Sequence, residues 1–374
     1  MHSRILQGES NSLRLRSHHF FLVTSWIMNF IIVGCDNTSH PHSLKDPSAD
    51  STNHLRYARC FQLLFGANDG VLISILEPVE DKQRVLQEIN WKFNSIQRLG
   101  CLSTTHFPFI QALGGEDLIV ASGFSEMKHN PEFAEAIQLQ RILNIAAGGA
   151  IDKELLLKAS PELFFTYPFG GNSCQEFLDA RIGCVQVTEY LEEHPLGRAE
   201  WIKLFGVMLN RYSLADSIFQ KIEHRYNEQI HHCNRDSMPL VFFGTFDGEA
   251  YYAPPGNSFV AQLIQDAGAK YYFENRKESS NIRLDKEQMI AITREVDYMG
   301  TIEFGKAEWN ENIRSIATGG CPILFRCDAA NRDYYGKALL EPDALLRDFK
   351  LMFHNSKKEI NADSLSYFEM LDVR

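Results

Sequence analysis

Ile151-Asp152-Lys153-Glu154-Leu155-Leu156-Leu157-Lys158-Ala159-Ser160-Pro161-Glu162-Leu163 is echoed by Leu284-Asp285-Lys286-Glu287-Gln288-Met289-Ile290-Ala291-Ile292-Thr293-Arg294-Glu295-Val296. The offset is 133 residues throughout, Asp-Lys-Glu is identical in the two copies, and the apolar positions coincide. A spacing this wide is not the period of a solenoid, which is about 20–50 residues. It predicts two similar lobes. Each carries a helix that opens on an N-capping aspartate, Asp152 or Asp285, and holds a glutamate, Glu154 or Glu287, in its first turn. Two matched lobes imply that something is held between them.

Around the two copies the chain alternates. Residues 96–102 read as a strand ending at Ser103-Thr104-Thr105-His106. Residues 107–113 read as a helix with Pro108 tolerated in its first turn and Gly114-Gly115 as its stop. Residues 118–121, 163–165 and 184–187 read as short strands. Upstream, two apolar runs flank Asn68-Asp69-Gly70 and predict a β-hairpin. Trp201, Leu204, Phe205, Met208, Ala215, Ile218, Phe219, Ile222 and Tyr226 recur mostly at three- and four-residue steps. They predict one amphipathic helix over 197–231, about 30 residues and about 45 Å long. A second alternation follows. It has a strand at 239–244, a helix at 259–267 closed by Gly268, the second repeat helix, a strand at 322–325 and a helix at 342–354. The expected fold is α/β, with two αβ lobes (57–194 and 234–355) built on central, mainly parallel sheets. One long helix (195–233) joins them, and 356–374 is a polar tail.

The chain has 374 residues, enough for two domains of ordinary size. Its 44% hydrophobic and 23% charged residues are typical of a globular protein. A net charge of −11 argues against bulk nucleic-acid binding, which needs a basic footprint. The first 34 residues read as a signal segment. Arg4, Arg14 and Arg16 precede an apolar run over 20–34 that is too short for a membrane span of about 20 residues. The run ends at Gly34-Cys35, which resembles a bacterial lipobox. Cleavage there would leave the Cys35 thiol to be acylated and the protein tethered rather than spanning; a plain secretory signal is the other reading. Residues 35–56, rich in Ser, His, Asn, Pro and Asp, read as a flexible tether. No CxxC pair occurs among the eight cysteines, so a zinc site of the usual spacing is not supported. Cys321 and Cys327 are close enough in sequence for a local disulfide. Buried reduced thiols are the equal alternative.

Several segments together resemble the substrate-binding proteins of ATP-driven importers for iron complexes and vitamin B12. These are the helical-backbone, class III periplasmic binding proteins. Ser103-Thr104-Thr105-His106 followed by Phe109-Ile110-Gln111-Ala112-Leu113-Gly114 is similar to the first strand-loop-helix of that family. The run over 191–203 looks like the opening of its backbone helix. Tyr252-Ala253-Pro254-Pro255-Gly256-Asn257-Ser258-Phe259 resembles its second-lobe ligand loop. The resemblance covers about 57–354. It implies that Glu154 and Glu287 dock on arginine pockets of a membrane permease dimer, where charge-assisted pairs would fix register. The same glutamates also suit the positive end of a helix dipole with no partner at all. The resemblance further implies an exported monomer, lipid-anchored on the periplasmic face of a bacterial membrane. It would carry a ferric siderophore, haem or cobalamin. No cofactor of its own is implied, although the ligand brings iron or cobalt.

Ligands of open αβ sheets lie outside the carboxyl ends of the strands. The loops at those ends offer Thr105, His106, Tyr167, Phe169 and Tyr190 in the first lobe. In the second they offer Phe246, Tyr251, Tyr252, Trp309 and Arg332, within loops that include residues 326–335. Aromatic faces suit a large, partly apolar ligand. His106 is a candidate axial ligand of haem or cobalamin, or a structural hydrogen-bond partner. No GxSxG, P-loop, HExxH or complete GxGxxG is present, so no catalytic constellation emerges. The expectation is a binding protein rather than an enzyme. A scavenger or sensor uncoupled from an importer is the alternative. A metal-dependent enzyme on the same frame is a remoter one and needs three converging ligands.

Overall fold

The computed structural model describes residues 55–66, 70–79, 82–125, 130–146, 150–168, 182–230, 237–247, 249–303, 322–355 and 364–371, together with Cys174, Phe177, Ile316 and Gly320. Cys35, Phe169 and Trp309 lie outside them.

The first element is an antiparallel sheet, β1 (Phe61–Phe65), β2 (Gly70–Val79) and β3 (Lys82–Lys92), in that spatial order. β1 and β2 form the hairpin anticipated around Asn-Asp-Gly, with Phe65 opposite Val71. β3 was not anticipated, because its exposed polar residues carry no clear period. Its Gln87 side chain acts as a surrogate strand. The amide donates to Cys184 O at 2.8 Å and accepts from Gln186 N at 2.9 Å, satisfying the neighbouring edge of the next sheet.

That sheet is wholly parallel. It comprises β4 (Leu99–Cys101), β5 (Ile119–Ser122), β6 (Leu143–Asn144), β7 (Leu163–Thr166) and β8 (Gly183–Gln186), in the order β6-β5-β4-β7-β8. Its helices are α1 (Phe107–Ala112), α2 (Pro131–Gln138) and α3 (Lys153–Ala159). Pro108 sits in the first turn of α1, and Gly114, at φ +65°, turns the chain away beyond it. Cys174 is disulfide-bonded to Cys184.

The connection differs from expectation. Three helices, α4 (Pro195–Glu200), α5 (Ile202–Met208) and α6 (Tyr212–Gln229), replace a single rod. Asn210 adopts φ +56°, a left-handed conformation that asparagine tolerates better than most residues, and this ends α5. α6 then packs back on α5, so closely that a Cβ on Gly206 would stand 2.5 Å from the Cβ of Ala215. The apolar spacing runs on across the break because both helices bury the same face.

The second sheet is mixed. Its elements are β9 (Leu240–Phe246), β10 (Tyr251–Ala253), α7 (Phe259–Asp266), β11 (Lys270–Tyr271), β12 (Ile282–Leu284), α8 (Lys286–Ile292), β13 (Tyr298–Glu303), β14 (Ile323–Asp328), α9 (Ala329–Arg332), α10 (Pro342–His354) and β15 (Glu369–Met370). The strand order is β12-β10-β9-β13-β14-β15, with β11 paired to β9. β9, β11, β13 and β14 are parallel, and β12, antiparallel to its neighbour β10, runs the same way; β10 and β15 run against them.

One hydrophobic cluster runs from Phe109, Phe165, Trp201 and Phe205 through Phe219 to Phe243, Phe325, Phe349 and Phe368. It fuses both sheets to the connecting helices. Residues 364–371 belong to this core, contrary to the expectation of a peripheral tail. Leu365, Tyr367 and Phe368 are buried, and β15 pairs with β14. Asp348 of α10 holds the segment by accepting from Ser366 N and Tyr367 N at 3.1 and 2.7 Å. Cys327, like Cys60 and Cys101, is a free, buried thiol, and Cys321, considered above as its disulfide partner, lies outside the described residues.

Candidate ligand cleft and docking face

The loops at the carboxyl ends of β4 and β8 meet. Ser103 Oγ lies 2.9 Å from Thr105 Oγ1, and the Thr105 hydroxyl also bonds Glu189, which follows β8. Glu189 is 2% exposed. Burial pushes its carboxyl pKa up, and the charge of Arg198 opposes that shift. Arg198 belongs to α4. Its guanidinium carbon lies 4.2 Å from the centroid of the Phe259 ring, the first residue of α7. Tyr334 and Tyr335, beyond the end of β14, interact electrostatically with the same guanidinium. Residues from both lobes therefore converge on Arg198. A cavity of about 10 Å³ beside it, lined by Arg198, Phe259, Tyr334 and Leu339 among others, is water-sized.

The anticipated ligand residues separate into three groups. Thr105, Tyr167 and Tyr190 are half-buried at strand ends of the parallel sheet. Burial raises the Tyr167 and Tyr190 phenols, and Glu189 adds to the rise at Tyr190. Phe246, at the end of β9, is half-buried, and Arg332 closes α9 with Nη1 donating to Ser366 O at 3.3 Å. The third group is interior. Tyr251 and Tyr252 are buried in β10, where Tyr251 packs 4.7 Å from Phe246 on the sheet face covered by Met289. His106 is 1% exposed, with Phe165 and Phe205 rings 6.4 and 6.2 Å away. Burial holds its pKa down at about 3, against a hydrogen bond to the Phe165 backbone. Among the described residues no group of three His, Cys, Asp or Glu is placed to hold a metal ion. Arg198 and Phe259 were not singled out from sequence, although both lie in the runs that carried the family resemblance.

The repeat occupies equivalent places in the two sheets. α3 leads into β7, which pairs with β4; α8 leads into β13, which pairs with β9. Asp152 Oδ1 accepts from Leu155 N at 3.0 Å, and Asp285 Oδ1 from Gln288 N at 2.8 Å. Glu154 and Glu287 are exposed in the first turns. A crossover helix runs against its parallel strands, so each first turn lies toward the carboxyl edge of its sheet, the edge where ligands bind.

The model of the periplasmic binding protein family matches residues 100–311. An uncharacterized lipoprotein of Methanocaldococcus jannaschii is 21% identical over 280 residues, 69% of this chain and 65% of that protein. The chain thus spans about two thirds of that relative, and 49% of a second, 24% identical protein of the same organism. A periplasmic binding protein from Veillonella parvula superposes with a TM-score of 0.58 at 12% identity, covering 76% of this chain and 99% of that one. A periplasmic heme-binding protein from Pseudomonas aeruginosa gives 0.54 at 14%, covering 75% and 99%. One from Roseiflexus gives 0.54 at 16%, covering 70% and 98%. At these identities the likeness is one of fold.

Proposed function

The chain belongs to the periplasmic binding protein family, and from that premise we propose that it is the lipid-anchored substrate-binding component of an ATP-driven importer for iron-bearing chelates or corrinoids. It captures the ligand between its two lobes and delivers it to a membrane permease dimer, with no chemistry on the ligand. Thr105, Tyr167, Tyr190, Phe246 and Arg332 contact that ligand, and Phe169 and Trp309, outside the described residues, add aromatic faces. His106, Tyr251 and Tyr252 shape the walls from inside. Cys35 carries the lipid.

The observation that carries this reading is the pairing of Glu154 with Glu287. Two exposed carboxylates occupy equivalent first turns of helices in equivalent places. A permease dimer has two matched sockets, and one acidic knob per lobe seats on both at once. Further support comes from the two relatives described as heme-binding.

The test has two arms. Absorption spectra of the purified protein with haem, cobalamin and ferric siderophores added identify the cargo, and no spectral change with any of the three overturns the ligand class. Uptake of the identified cargo by cells carrying Glu154→Lys and Glu287→Lys together falls to background. Uptake unchanged by the double reversal overturns permease docking.

A further inference from the structure

A broken connection cannot act as a strut. The connection breaks at residues 209–211, where Asn210 adopts φ +56°, so no continuous rod spans from one lobe to the other. The relative setting of the lobes must come from contacts that cross between them.

Two such contacts leave the start of the connection and seize the same short loop of the second lobe. Asn257 Nδ2 donates to Glu193 Oε1 at 2.7 Å, while Asn257 Oδ1 accepts from Glu278 N at 3.2 Å. Two residues on, the Phe259 ring is covered by the Arg198 guanidinium at 4.2 Å. The charge of Arg198 also acts on Glu189, which is bonded to Thr105 in the first lobe's ligand loop. The Arg198 guanidinium therefore stacks on a ring of the second lobe while its charge acts on an acid of the first.

We propose that Arg198 is an interlobe positioning residue: held by Glu189 and Phe259, it fixes the angle between the lobes and hence the width of the cleft in the empty protein. The inference rests on the two-lobed reading of the cleft but not on its cargo or on any permease.

The test uses spin labels at two exposed positions, introduced as Leu157→Cys and Ala291→Cys on α3 and α8. The interlobe distance distribution is read with no ligand present. The native background gives one narrow distribution. Arg198→Met keeps the apolar stem but removes the charge, and about doubles the width. Combining it with Glu189→Gln, which removes the stranded acid, restores thermal stability without restoring the narrow distribution. A folded Arg198→Met protein whose distribution equals the native one overturns the proposal. Should Arg198→Met not fold, Phe259→Leu reads the same contact from the other side. It leaves the Glu189–Arg198 pair intact, it too must broaden the distribution, and a native width there also overturns the proposal. Because neither cargo nor permease is present, failure of the import reading leaves this measurement unaffected.

Discussion

Asp152 and Asp285 make the same hydrogen bond, each accepting from the amide three residues ahead, in helices whose first turns are 133 residues apart. The second goes further. Gln288 Oε1 accepts from Asp285 N at 2.9 Å, completing a capping box, whereas Leu155 at the matching position cannot reciprocate. Asp152→Ala and Asp285→Ala should each cost about 1 kcal/mol, because each strips one first-turn amide of its acceptor, and Gln288→Ala in the Asp285→Ala background should cost more again, because the amide of residue 285 then loses its partner too. Urea denaturation of the three variants checks this. No further loss on adding Gln288→Ala would mean that the Gln288 side chain contributes nothing.

Docking through Glu154 and Glu287 predicts a strong salt dependence. Both carboxylates are exposed, so their long-range attraction to a cationic socket is screened as the Debye length falls from about 10 Å at 0.1 M salt to about 3 Å at 1 M. Association with permease-containing membranes should slow steeply over that range, and Glu154→Gln with Glu287→Gln should remove most of the slope. A double variant as salt-sensitive as the native protein would place the steering charges elsewhere.

His106 predicts acid lability. Its folded pKa, about 3, lies below the ordinary value of 6.5. As pH falls through 6.5 the unfolded chain takes up a proton that the folded protein refuses, so stability is lost progressively toward pH 3. Between pH 7 and pH 4 this one group accounts for about 3 kcal/mol. His106→Leu removes the proton while filling similar space among Phe165 and Phe205. Its unfolding free energy should fall less over that interval, and a parallel curve would sink the assignment.

Glu303 works in the opposite direction. It ends β13 with one carboxylate oxygen buried and unbonded, 3.9 Å from the Arg326 guanidinium. Burial pushes its pKa up to about 8; Arg326 opposes the rise, and Asp328 and Glu369 add to it. Below pH 4.5 both states hold the proton. Between 4.5 and 8 only the folded state does, so stability declines as pH rises toward 8 and then levels. Glu303→Gln should flatten that decline in melting temperature from pH 5 to 9. An unchanged slope would show that another group titrates there.

The sequence exposed the parts of the fold that repeat or alternate. α3 and α8 were legible because their caps and apolar spacing are local, and the strands of both lobes because short apolar runs end at Gly, Ser or Asp. What escaped it depends on distant partners. The break at Asn210 preserves the helical spacing, and only the tolerance of asparagine for positive φ hinted at it. Phe368 looked peripheral because its burial depends on Asp348, twenty residues earlier, gathering the amides of 366–368. Cys174 pairs with Cys184 rather than any cysteine nearer the end of the chain, and connectivity of that kind cannot be deduced from spacing. At the site, strand-end loops were placed correctly for Thr105, whereas Tyr251 and Tyr252 were assigned to a loop and lie in β10. The alternation of a three-residue strand is too short to reveal which face is buried.

Two buried glutamates carry the last prediction. Glu200, fully buried, accepts from Arg56 N, Tyr57 N and Ala58 N at 3.0, 2.8 and 2.9 Å, and Lys203 Nζ bonds it at 2.9 Å. Glu192 accepts from Arg59 N, Cys60 N and Trp201 Nε1, each at 2.9 Å. Five consecutive amides of the segment leading into β1 are thus gathered by two carboxylates from the start of the connection. Glu200→Gln keeps the shape but leaves the half-neutralised Lys203 buried and puts an NH2 where an acceptor stood. Breaking a buried pair in this way costs about 3–5 kcal/mol. The loss should appear first where the chain can peel away, at Arg56 and Arg59. Limited trypsin digestion should cut there in Glu200→Gln while the rest of the fold remains intact, and hardly at all in the native protein. Loss of stability without new cleavage at those two arginines would mean that the carboxylate supports the helices and not the strand they hold.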